Sequence, residues 1–218
     1  MTPKSFLLTD ELHQYLLEHC APVDDVQRSL IERTSALGTI SGMQVSPEQG
    51  ALLTLLTGLL GATNAVEVGT FTGYSALCIA RGLAAGGRLL CCDVSEEWTA
   101  IGREHWEKAG VADRIELRIA PAVETLRALS RDPVIDLAFI DADKPSYIAY
   151  VDELVPRLRP NGILLIDNVL WSGRVIDPDA HDDNVEAIRR CNDHVAALTE
   201  LESLILPVAD GLTMARKR

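Results

Sequence analysis

Glu67-Val68-Gly69-Thr70-Phe71-Thr72-Gly73-Tyr74-Ser75 closes a short β-type run, residues 65–68, and opens an amphipathic stretch. Gly69 and Gly73 let the backbone turn tightly and approach a ligand, and a helix starting near Gly73 offers free N–H groups beside them. The segment is not GxGxxG. It lacks the close pair of glycines that admits a pyrophosphate, which argues against a dinucleotide and a nicotinamide dehydrogenase and favours a smaller nucleoside-like ligand.

Outward from this turn the chain alternates. Downstream, β-type runs at residues 65–68, 88–92, 115–119, 135–140 and 162–166 are separated by amphipathic stretches. Runs apolar at nearly every position fit strands buried on both faces, and crossover helices make such strands parallel. A helix over residues 183–197 and two further strands, 201–206 and 212–215, follow; the short connection through Pro207 and Gly211 favours an antiparallel pair at the end of the sheet. Upstream, residues 9–19, 24–37 and a segment opening at Ser46 read as helices. Ser46 caps the third, Pro47 suits its first position, and Gln49 completes a capping box. The expected class is α/β: a Rossmann-like, doubly wound sheet of about seven mostly parallel strands with an antiparallel C-terminal strand. One domain, residues 1–218, is expected, with N-terminal helices over 1–62 and an adenosyl-binding, catalytic core over 63–218.

Ligands in such sheets sit beyond the carboxyl ends of the strands. The second strand ends at Asp93, where a carboxylate can accept both hydrogen bonds of a ribose diol. A glycine turn alone is as readily structural, and a strand-end Asp as readily a helix cap; together, at this spacing, they favour an adenosyl ligand. Ala120-Pro121-Ala122 after the third strand leaves room for a flat adenine, or simply starts a helix. The fourth strand ends in Asp141-Ala142-Asp143-Lys144 and the fifth in Asp167-Asn168. Neighbouring strands lie about 4.8 Å apart, so Asp141, Asp167 and Asn168 can converge, and two carboxylates that close repel unless a cation sits between them. Oxygen-only ligands select Mg²⁺, Mn²⁺ or Ca²⁺ over zinc; the bland alternative is two loop caps. Lys144 is either a base or fixed charge in the same site or a solvated surface residue.

The formal charge of −12 is spread along the chain, so a nucleic-acid backbone would be repelled. The five cysteines form no CxxC and no set with histidine, which reads as reduced core thiols. His13, His19, His105, His181 and His194 show no metal spacing and read as surface or satisfied core residues. Residues 1–10 lack a basic segment followed by an apolar run, and residues 51–62 are too short and too interrupted to span a bilayer. No membrane and a cytoplasmic location are expected.

Three segments, Glu67 through Ser75, Asp141 through Lys144, and Asp167-Asn168-Val169-Leu170-Trp171-Ser172-Gly173, resemble in order and spacing the cation-dependent class I O-methyltransferases, among them the caffeoyl-CoA and catechol enzymes. The resemblance runs from Met43 to Thr213. It implies S-adenosyl-L-methionine contacts at Val45, Glu67, Gly69, Thr70, Ser75, Asp93, Ala122 and Asp141. It implies metal ligation by Asp141, Asp167 and Asn168, catalysis by Lys144 and Asp141, and an acceptor pocket at Met43, Trp171, Ser172 and Asp210. It further implies a small aromatic hydroxyl substrate and a homodimer. Ser172 stands where the plant caffeoyl-CoA enzymes carry Asn, which turns the expected acceptor from a hydroxycinnamoyl-CoA ester toward a catechol-like ring. A non-catalytic adenosyl-binding protein is the alternative from another class.

Overall fold

The computed structural model describes residues 8–218; the reading of the first ten residues as lacking an export signal lies largely outside them. Seven strands form one sheet: β1 (Asn64–Val68), β2 (Arg88–Asp93), β3 (Ile115–Ile119), β4 (Ile135–Ile140), β5 (Leu158–Ile166), β6 (Leu201–Leu206) and β7 (Leu212–Lys217), in the order β3-β2-β1-β4-β5-β7-β6. The first five run parallel, and β7 inserts antiparallel between β5 and β6. The order reverses between β1 and β4, which opens a crevice at their carboxyl ends.

Side-chain alternation along the strands divides the core between the two faces. On β4, Leu137 and Phe139 pack with Leu30, Leu53, Leu77 and Trp106. These come from α2 (Asp25–Ser35), α3 (Pro47–Leu59), α4 (Tyr74–Gly82) and α5 (Glu96–Lys108). Ala138 and Ile140 pack on the opposite face with Leu126, Tyr147, Val151 and Cys191, from α6 (Ala122–Arg127), α7 (Tyr147–Leu154) and α8 (Asp183–Ala197). A first helix, α1 (Asp10–Glu18), buries none of its residues. Asp136, buried at the start of β4, accepts from the backbone N–H groups of Thr63 (2.7 Å) and Asn64 (2.8 Å) and pairs with Arg159. Burial pushes its carboxyl up, but Arg159 and those N–H groups hold it below its ordinary value. This one side chain ties the entry of β1 to β4 and β5.

Three expectations shift. β5 starts at Leu158 rather than Gly162, because an irregularity between Ile135 and Leu137 accommodates extra residues, with Asn161 at φ 64. Ser46 accepts from the Gln49 N–H (3.4 Å) as expected, but the Gln49 amide turns inward and the reciprocal half of the box is absent. A complete capping box instead starts α2, between Asp24 and Gln27. All five cysteines are free, four of them buried, while Cys20 is only half-buried. His105 is a satisfied core residue, bonded to Ile101 and Ser29. Among the described residues no helix is long and apolar enough to cross a membrane.

Candidate active site

A cleft of about 810 Å³ opens over the carboxyl ends of β1, β2, β4 and β5. On its β1 side Gly69 has φ 88, and a Cβ there would stand 1.9 Å from the Asp141 carbonyl oxygen, so the turn lies directly on the tip of β4. Gly73, at φ 82, caps α4 against the Trp106 ring. Asp93 Oδ2 accepts from the N–H groups of Thr70 and Phe71, each at 2.8 Å, and its Oδ1 from Ser95 N–H at 2.8 Å. The carboxylate expected to meet a ribose therefore also staples the turn, including Phe71 at φ 49.

The buried polar atoms without a protein partner, among the described residues, are Gln44 Oε1, Glu48 Oε2, Gln49 Nε2, Glu67 Oε1 and Thr70 Oγ1. Gln44, Gln49 and Thr70 line the cleft. Orphaned groups of this kind are costly unless something bonds them, and an amino-acid-bearing nucleoside carries the donors and acceptors to do so. Ala120, Ala122 and Trp98 line the cleft near the end of β3, leaving a surface suited to a flat base.

At the other end the tips of β4 and β5 bring Asp141, Asp167 and Asn168 together. Asn168 sits at φ 57, with its N–H on Asp167 Oδ1 at 2.8 Å. Lys144, 8% exposed, donates to Asp141 Oδ1 (3.1 Å), Asn168 Oδ1 (2.7 Å) and Tyr147 Oη (2.6 Å). Burial raises the Asp141 carboxyl while Lys144 opposes the rise; burial and then the charge of Asp141 push Asp167 up to about 7. Two buried carboxylates both pushed toward the neutral form, one of them by the charge of the other, are a site short of positive charge, which fits a divalent cation. Among the described residues no three His, Cys, Asp or Glu gather to hold an ion; an ion here would need the Asn168 amide oxygen as a third donor.

The acceptor side is built on the loop after β5. Trp171, Ser172 and Gly173 follow one another at φ 45, 52 and 78. The loop rests on the β6–β7 turn, where Val169 and Leu170 donate to the Gly211 and Asp210 carbonyls and Ser172 N–H donates to Asp210 Oδ1 (2.5 Å). Trp171 and Ser172 are strained in the left-handed region while Gly173 takes it freely, and such strain gathers at ligand sites.

The sequence profile of a family described as O-methyltransferase matches residues 18–218. A probable caffeoyl-CoA O-methyltransferase 2 of Dictyostelium discoideum is 38% identical over 207 residues, 93% of this chain and 90% of that protein. A catechol O-methyltransferase domain-containing protein 1 of Mus musculus is 37% identical, over 94% of this chain and 79% of its own length. The chain belongs to the S-adenosylmethionine-dependent O-methyltransferase family. The structure of a Bacillus cereus O-methyltransferase in complex with SAH aligns with TM-score 0.87 and 33% identity, covering 95% of this chain and 97% of that one.

Within this methyltransferase the cleft gathers most of the residues singled out from sequence. Met43, Val45, Gly69, Thr70, Ser75, Asp93, Ala122, Asp141, Lys144, Asp167, Asn168, Trp171 and Asp210 all line it. Two do not. Glu67 lies behind the wall, fully buried, with Cys91 Sγ donating to its Oε2 at 3.4 Å. Burial pushes its carboxyl up to about 7 against the Ser75 and Thr70 hydroxyls, which favour the charged form. Ser172 is exposed, and it is its backbone that is engaged. Sequence reasoning missed Gln49, Asn184 and Tyr147. Tyr147 Oη accepts from Lys144 and donates to the Asp167 carbonyl at 3.2 Å. An aromatic residue on an apolar helix face reads as core, and no spacing marks its hydroxyl.

Proposed function

We propose that this methyltransferase moves the methyl group of S-adenosyl-L-methionine to a hydroxyl of a catechol-like aromatic, with a divalent cation, most simply Mg²⁺, held by Asp141, Asp167 and Asn168. The observation that carries this reading is the gathering of Asp141 and Asn168 on the Lys144 ammonium, with the Asp167 carboxyl close enough to be raised by the charge of Asp141, directly against the glycine turn.

Transfer from sulfonium to oxygen is an in-line displacement, so the chain's contribution is to hold oxygen, methyl carbon and sulfur collinear. The Gly69–Thr70 turn and Ser75 would grip the amino-acid end of the cofactor, with Val45 and Glu67 beside it. Asp93 would take the ribose with the lone pairs its three backbone bonds leave free, and Ala122 the adenine. Asp141 belongs to both halves. Bound there, the cation would acidify the acceptor hydroxyl, whose free pKa is about 10, and fix the ring. Trp171, Met43 and Asp210 would wall the ring. Lys144, buried beside Asp141 and Tyr147, is suited to offset the developing phenolate charge rather than to accept a proton.

The names of the relatives favour a second reading, a hydroxycinnamoyl-CoA acceptor. Against it, Asp93, Asp141, Asp143, Asp167 and Asp210 line the cleft with Lys144 as their single cationic companion, a poor setting for a polyphosphate tail. A methylation screen over catechols, flavonoids and caffeoyl-CoA, with EDTA and with Mg²⁺ restored, tests the whole reading. Catechol turnover lost in EDTA, restored by Mg²⁺ and absent in Asp141→Ala is expected; turnover that survives EDTA refutes the cation. SAH binding in calorimetry without turnover of any acceptor would point to a non-catalytic binder. A cytoplasmic homodimer that binds neither nucleic acid nor membrane completes the proposal, and light scattering checks the dimer.

A further inference from the structure

The Lys144 ammonium has three N–H bonds, and each already has an acceptor: Asp141 Oδ1, Asn168 Oδ1 and Tyr147 Oη. The first two acceptors are the oxygens assigned above to the metal. An ion bonded to Asn168 Oδ1 at about 2.1 Å stands within about 5 Å of an Nζ that is 2.7 Å from the same atom. At that range, in a buried corner, a divalent cation and an ammonium repel strongly.

We infer that Lys144 is a built-in competitor of the divalent ion: its ammonium and the ion share Asp141 Oδ1 and Asn168 Oδ1, and the ion enters the cradle by displacing the ammonium. The inference rests on the cation reading of the proposed function and adds to it an internal competitor that sets metal affinity. The displaced ammonium has somewhere to go. Nζ lies 5.7 Å from the centroid of the half-buried Trp171 ring and 4.8 Å from that of Tyr147, and an aromatic face receives a cation within about 6 Å. Trp171 stands on the strained loop at the acceptor side, so the incoming metal would press the lysine toward the place where the acceptor ring is expected.

Competition lowers apparent affinity by the fraction of time the cradle stands open. If Lys144 fills it about nine-tenths of the time, removing the ammonium tightens metal binding about tenfold. A merely supportive lysine predicts the opposite sign, because losing it would leave its partners disordered, and a lysine that repels the ion without moving predicts the same sign but no Mg²⁺-induced change at Trp171 that depends on Lys144. Calorimetric titration of Mn²⁺ into wild type and Lys144→Met, each first shown to bind SAH, decides the sign. An Mn²⁺ Kd about tenfold lower in Lys144→Met is expected. Binding to wild type that is unchanged or weakened in the variant overturns the exchange while leaving the cation reading intact, whereas no Mn²⁺ binding to either protein overturns both. Wild-type fluorescence serves should the variant not fold. Mg²⁺ should shift emission in the wild type and in neither Trp171→Phe nor Lys144→Arg, whose bulkier head cannot make the same move; no shift at saturating Mg²⁺, or a shift retained in Lys144→Arg, overturns the exchange.

Discussion

Replacing Glu67 by Gln should make the free protein more stable and its cofactor site worse. Glu67 is fully buried, and its Oε1 has no partner. The folded chain holds its carboxyl at about 7 against an ordinary 4.5, with burial as the chief cause. That rise corresponds to about 3 kcal/mol. Because the folded state keeps a proton that the unfolded state has released, stability falls as pH climbs from 4.5 to about 7 and the cost stays constant above that. Glutamine fills the same volume without the charge. In urea unfolding of cofactor-free and metal-free protein, Glu67→Gln should exceed wild type by up to about 3 kcal/mol at pH 8, narrowing to about 1 kcal/mol at pH 5. Asp167, which titrates over a similar range, is common to both proteins and cancels in the difference. SAH affinity should fall about tenfold in the same variant, because the Ser75 and Thr70 hydroxyls that line the cleft lean on the Glu67 carboxyl behind it. A stability difference that does not vary with pH, or a variant less stable than wild type at pH 8, would refute the reasoning.

Gly69→Ala should scarcely fold, since its Cβ would lie 1.9 Å from the Asp141 carbonyl oxygen at a φ of 88; a loss above about 4 kcal/mol in thermal or urea unfolding is the expected range. Asp136→Ala leaves the Thr63 and Asn64 N–H groups and Arg159 without their acceptor and should cost about 3 kcal/mol. Its kcat should be unchanged at a temperature where it remains folded. Asp93→Ala should weaken SAH in calorimetry and also speed hydrogen exchange of the Thr70 and Phe71 amides, because both donate to that carboxylate; weakened SAH with unchanged exchange would show that the staple does not hold the turn.

The central strands were legible because β2, β4 and the end of β5 are apolar at nearly every position and bury both faces, whereas β3 and β6, half-buried or exposed along most of their length, were legible only through their turns and their place in the alternation. The early start of β5 was not, since Arg159-Pro160-Asn161 looks like a strand's boundary and only the irregular pairing with β4 carries the strand through it. At the site, backbone-determined features were readable: glycines at forced turns, and carboxylates at strand tips. Features that depend on rotamers were hidden. Gln49 had every local reason to cap α3, yet its amide turns toward Asp167, close enough to favour that carboxylate but without a hydrogen bond of its own among the described residues. Lys144 carried two opposite readings, and only the placement of Tyr147 one helical turn away shows why it is buried.

The contact between Gly69 and the Asp141 carbonyl leaves no side chain between the backbone that meets the cofactor and the backbone that presents the cation's ligands. Neither segment can shift without carrying the other, so a nucleoside and the proposed ion would report on each other. Whatever factor the nucleoside added to the ion's affinity, the ion would return to the nucleoside. Such coupling needs no separate lid, because the junction of two strand ends supplies the rigid link.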